Sequence, residues 1–168
     1  MQYIPYDELG DRPNIIVDGA ANSHTLITLS HWPDSKTPAV LKDDLSAQIV
    51  FRYLDRPDLW VQADAVSNNH FDEDGLVGVY SLLNPDHAQR HRSLLIDVAA
   101  AGDMGTYRFR GAARATFVLS TFADPEFSPL DAGIFKQPYP RLAARLYQEI
   151  LPRLPEILGD LNRFRQYW

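Results

Sequence analysis

The chain has 168 residues, which suits one domain able to bury a sizeable core, and its 45% apolar and 23% charged residues are an ordinary globular mixture. A formal charge of −6 argues against an extended nucleic-acid surface, which rests on clustered Lys and Arg, but leaves room for a local phosphate pocket. The absence of cysteine excludes disulfides, thiolate metal sites and a cysteine nucleophile, and is compatible with a reducing cytoplasm.

The opening MQYIPYDELGDRP lacks the basic-then-apolar order of a signal peptide, and no apolar run approaches the roughly 18 residues of a membrane helix. The expected location is therefore cytoplasmic, away from membranes. Asn14-Ile-Ile-Val-Asp18 is an apolar run ending at Asp-Gly, which suits a buried strand delivering a carboxylate to a loop. Asn22 or Ser23 is placed to cap a helix running to Ser30, stopped by Pro33. Asp43 or Asp44 starts a second helix, whose apolar face carries Leu45, Ile49, Phe51, Tyr53 and Leu54 before Pro57. Leu59 to Val66 reads as the next strand and runs into Ser67-Asn-Asn-His-Phe-Asp-Glu-Asp-Gly-Leu76.

Beyond that stretch, Leu76, Val79, Tyr80, Leu82 and Leu83 fit a helix ended by Asn84-Pro85, since the residue before proline is pushed out of helical geometry. Leu94, Leu95, Val98 and Ala101 recur at helical spacing up to Gly102. The expected fold is α/β: a three-layer sandwich with a mainly parallel central sheet and helices on both faces, in a single domain spanning 1–168. Leu142 to Leu158 is helix-like but broken by Pro152 and Pro155, and the close LNRFRQYW has no stop signal. That ending is expected either of a piece of a longer chain or of a last helix packing on a partner, so a homo-oligomer is compatible.

The stretch from Ser67 to Leu76 concentrates one imidazole and three carboxylates before a glycine. A calcium loop of EF-hand type does not fit it, because Gly75 at the sixth position puts His70 first and Ser81 twelfth. An Asp-x-Asp phosphatase nucleophile fits poorly, because polar Asn68-Asn69-His70 precedes it where an apolar strand is needed. In an extended segment, alternate residues face one side, so His70, Asp72 and Asp74 can converge while Phe71 turns to the core. The competing reading is a solvated helix cap, since carboxylates favour the positive end of a helix.

His70-Phe-Asp72-Glu-Asp74-Gly75 resembles the first motif of the DHH phosphoesterase superfamily. Ala99-Ala-Ala-Gly102-Asp103-Met-Gly105-Thr-Tyr107 resembles a later motif of the same superfamily. The resemblance covers about 63–107, with the metal-binding core placed at about 14–107. It implies Mn2+ or Mg2+ held by His70, Asp72, Asp74 and Asp103, and hydrolysis of a small phosphorylated substrate or short nucleotide. The Asp-His-His triplet that names the superfamily is absent, as is its Gly-Gly-His signature. Asp18, with His24 nearby, is placed to supply missing ligands from the N-terminal side in a rearranged version of the motif.

Arg108, Arg110 and Arg114 offer guanidinium forks for phosphate, and Arg108 and Arg110 would share a face in a strand. His31, His87 and His91 read as surface or packing residues. Two function classes follow: a divalent-metal-dependent phosphoester or phosphoanhydride hydrolase, and a non-catalytic domain of the same fold acting in ligand binding or assembly.

Overall fold

A computed structural model describes all residues, Met1 to Trp168. Four strands, β1 (Gln2–Tyr3), β2 (Asn14–Val17), β3 (Thr25–Leu29) and β4 (Ala65–Ser67), form one sheet in the order β1-β4-β2-β3. Every pairing in it is parallel. The protein is thus α/β, with helices carrying most of its mass. They are α1 (Ser46–Leu54), α2 (Glu73–Leu83), α3 (Pro85–Arg90), α4 (Arg92–Asp103), α5 (Arg110–Ala123), α6 (Tyr139–Ile150) and α7 (Leu154–Gly159). No helix is long and apolar enough to cross a membrane.

All four residues of β2 are buried, as a central parallel strand covered on both faces requires. The helix expected from Asn22 to Ser30 is instead β3. Its Thr-Leu-Ile-Thr-Leu sequence is rich in β-branched residues that fit a pleated surface better than a helix. Only residues 18–24 join β2 to β3, although a parallel crossover usually takes about a dozen residues or more. Asn14 makes the short return possible. Its side chain donates to Asn22 Oδ1 at 3.1 Å and accepts from Thr25 Oγ1 at 2.9 Å, tying the start of β2 to the start of β3.

The strand expected over Leu59–Val66 shrinks to Ala65–Ser67. Residues Pro57–Leu59 form a 3-10 turn, and the Trp60 indole donates to the Tyr53 carbonyl at 2.9 Å, docking this segment on α1. α2 begins at Glu73, inside the acidic motif, and ends before Asn84-Pro85; Pro85 then occupies the first turn of α3, where its missing N–H costs nothing. Arg108 lies in a loop and Arg110 opens α5, so the two do not share a strand face.

A core of 31 buried residues runs from Ile15 to Ile157, and its largest fully buried side chains are Phe51, Tyr80 and Tyr147. α2 packs against β1, β2 and β4, and it does so closely: a Cβ on Gly78 would come within 2.5 Å of Val17 Cγ1. This approach sets the N-terminus of α2 beside the carboxyl ends of β2 and β4, which is where parallel sheets usually place ligands.

Candidate metal centre

Three strand ends and two helix starts meet here. Asp18 follows β2 directly, His31 lies two residues past β3, and His70 lies three past β4; Ser46 opens α1, and Asp72 caps α2. Asp18 has φ +50°, in the left-handed region that Asp enters more readily than most residues but still at some cost. The sheet brings Asp18 and His70 together because β2 and β4 are neighbours, with Ile16 opposite Ser67.

The Asp18 carboxylate faces two histidines. Its Oδ2 lies 3.1 Å from His70 Nε2, and its Oδ1 lies 3.5 Å from His31 Nε2. His70 Nε2 is also 2.8 Å from Asp72 Oδ2. Two groups of ligand atoms result, Asp18 with His70 and Asp72, and Asp18 with His31 and Asp74, each with its atoms within 4.8 Å of one another. Asp18 belongs to both.

The supports are largely backbone. Asp74 is fully buried, and its two oxygens accept the N–H groups of Ser46, at 2.7 Å, and Ala47, at 2.8 Å, at the positive end of α1. Ser46 Oγ donates to Asp18 Oδ1 at 2.7 Å and accepts the His31 N–H at 3.0 Å. Asp72 Oδ1 accepts the Gly75 N–H at 2.7 Å, so Asp72 both caps α2 and turns its other oxygen to His70. Asn68 Oδ1 receives the His70 N–H at 3.2 Å, while Asn68 Nδ2 donates to the buried Tyr147 hydroxyl at 3.0 Å. Gly75 must be glycine here, since a Cβ would sit 2.2 Å from Asn68 Nδ2 and 2.7 Å from the Tyr147 oxygen.

No lysine or arginine pairs with Asp18, Asp72 or Asp74. Burial, reinforced by the charge of Asp18, pushes Asp74 up to about 8. Burial raises Asp18 too, against the opposing hydrogen bond from His70. For Asp72 burial also works upward, but the contacts with His70 and the Gly75 amide outweigh it and hold the carboxyl low. Burial opposes charging His70, yet Asp18 and Asp72 overcome it and lift the imidazole to about 10. The crowded carboxylates thus favour a bound proton or another cation among them, and the His70 ring is the basic group they share.

A divalent ion fits these donors. One ring nitrogen of His70 faces two carboxylate oxygens but carries at most one proton, whereas an ion can take all three as ligands. His70 Nδ1 is buried without a partner. The ring is held instead by Trp32, stacked on it with centroids 5.3 Å apart. Two imidazoles beside three carboxylates suit a first-row transition ion better than magnesium.

Asp18, His70, Asp72 and Asp74 therefore meet in one cluster. Asp103 lies outside both groups: it is exposed at the end of α4, where its charge bears on Glu73, whose carboxylate turns to Ser120 Oγ at 2.6 Å. His24 pairs with exposed Asp11 at 3.2 Å. Arg108 and Arg110 are exposed and ion-pair with none of the cluster; the Arg108 amide is tied to Asp97, and Arg114 lies over the Trp168 ring at 3.9 Å. His31, read from sequence as surface or packing, is the residue that was missed. Its signal was there: Ser30-His31 ends an apolar β-branched run just as Asp18 does.

Across residues 1–168 the chain matches the sequence profile of one family. It belongs to DUF6687, a family of unknown function. No curated protein and no solved structure matches it. The DUF6687 match spans all three strand ends, so every residue of the cluster lies within it.

Proposed function

We propose that the protein is a divalent-cation-dependent hydrolase of phosphoesters or phosphoanhydrides, with two ion sites sharing Asp18. The observation that carries this reading is the Asp18 carboxylate, which offers one oxygen to His70 and the other to His31, as a carboxylate bridging two ions does. His70, Asp72 and Asp18 would hold one ion; His31, Asp74 and Asp18 would hold the other. A bound pair of divalent ions would supply a hydroxide at neutral pH and offset charge on the oxygens of the attacked phosphate. The chain's own residues orient the donors. Ser46 fixes Asp18, the first amides of α1 fix Asp74, and the Gly75 amide fixes Asp72. The resemblance of His70-x-Asp72-x-Asp74-Gly75 to the DHH phosphoesterases supports the same chemistry, with Asp18 and His31 standing ahead of that motif as a rearranged form would place them.

Equilibrium dialysis against manganese, followed by an assay with bis(p-nitrophenyl) phosphate, tests this. The expected result is two ions per chain and metal-dependent hydrolysis, both lost in Asp18→Asn. A folded protein that takes up no manganese ends the proposal. Two bound ions without turnover of any phosphoester would favour the non-catalytic ligand-binding domain.

A further inference from the structure

Beside the cluster, the loops that follow β2 and β3 enclose a cavity of about 440 Å³, within the range typical of small-molecule sites. Its wall begins at Gly19, next to Asp18, and at Trp32, next to His31, so it opens from the same strand ends. Three of its features are unused by the fold. Lys36 forms no ion pair, and Trp32 Nε1 has no acceptor although the ring is 39% exposed. The amides of Gly19 and Ala21 find no protein acceptor, while Ala20 between them donates to Asn69 Oδ1 at 3.0 Å and fixes the loop. Two free amides on one loop beside an unpaired lysine are donors for an anion.

Trp32 is not free to swing, because its ring is stacked on His70. A platform fixed in this way loses little entropy when a second flat ring is laid on it. A stacked ring and a phosphate on one molecule would use all of these unpaired groups together.

We infer that this cavity is the recognition pocket for the substrate's leaving group: a planar heteroaromatic ring on Trp32, carried on a phosphate that meets Lys36 and the Gly19 and Ala21 amides. The inference rests on the hydrolase reading for its chemistry, but its binding test does not. Calorimetric titration of the full chain in EDTA compares adenosine 5′-monophosphate, ribose 5-phosphate and inorganic phosphate. The monophosphate binds about tenfold or more tighter than ribose 5-phosphate, the usual scale of one aromatic stack. Trp32→Leu removes that preference, and Trp32→Phe restores most of it. Lys36→Met weakens the monophosphate and ribose 5-phosphate together, while its melting temperature and manganese uptake stay at wild-type values. Equal affinity for the two sugar phosphates in wild type, or a monophosphate affinity untouched by both Trp32→Leu and Lys36→Met, overturns the inference. Saturable monophosphate binding in a protein that takes up no manganese would sink the hydrolase reading and leave the pocket standing; two bound manganese ions without ring preference would do the reverse.

Discussion

Asp74 carries a structural duty alongside its place in the cluster, and the two can be separated by one atom. Both of its oxygens accept amides of α1, so Asp74→Asn sets an NH2 group against a backbone N–H inside a buried site. Leaving a buried donor unpaired costs about 1–3 kcal/mol. Urea denaturation in EDTA should show that loss for Asp74→Asn. In Asp72→Asn the remaining carbonyl oxygen can still cap α2, so the same measurement should fall by less than for Asp74→Asn, the loss being confined to the half-buried contact with His70. Manganese uptake should fall in both. His31→Ala should lower the bound manganese from two ions to one, while His24→Ala and Asp103→Asn leave the count unchanged; dialysis distinguishes these outcomes. Equal effects of His31→Ala and His24→Ala would remove the second site.

Elements reach this centre from both ends of the chain. α2 delivers Asp74 by lying close against the Val17 side chain of β2, which requires Gly78. Gly78→Ala would push a methyl into Val17, an overpacking that costs about 1–3 kcal/mol, and the melting temperature should drop by roughly 2–4 °C for each kcal/mol lost. From the other end, α6 brings Tyr147 under the site, where its ring stacks on Tyr3 at 5.0 Å and its hydroxyl holds Asn68. Tyr147→Phe keeps the ring but leaves the buried Asn68 amide without its acceptor, a cost of about 1–3 kcal/mol. Because Asn68 also holds the His70 amide, manganese affinity should weaken in this variant while the stoichiometry stays at two, as read by calorimetric titration.

At the scale of the molecule, three carboxylates with no lysine or arginine partner gather where one small sheet meets two helix starts. Ions that bind only the folded chain stabilise it by RT ln(1 + [L]/Kd), about 2.7 kcal/mol at a hundredfold excess over Kd. For a chain of this size that corresponds to a rise of roughly 5–10 °C in melting temperature on adding manganese, and chelation should reverse it. Asp18→Asn should show almost no rise, because it damages both groups at once. Scanning calorimetry checks this, and an unchanged wild-type melting temperature would reduce the cluster to a helix-capping network.

Much of this was legible in the chain. Asn14–Val17 announces a buried strand by an unbroken apolar run, and α1 and α4 announce themselves by helical spacing. These signals are local, so neighbouring residues suffice to read them. Asp74, by contrast, reaches the cluster from the first turn of α2 and not along the extended segment expected to align it with His70 and Asp72. β3 was misread because Thr25–Leu29 is too short for periodicity to separate strand from helix; its pairing with β2 decides the matter. The extent of β4, the exclusion of Asp103 and His24, and the arrival of Tyr147 likewise depend on partners remote in sequence. His31 and Asp74 are 43 positions apart, and only the strand order β4-β2-β3, with α1 set across its end, brings both beside the Asp18 carboxylate. The sequence by itself determined which donors exist, and that Asp18 and His70 follow strands. Which donors meet was decided by the tertiary structure, because strand pairing and helix packing act between segments whose separation no local pattern records.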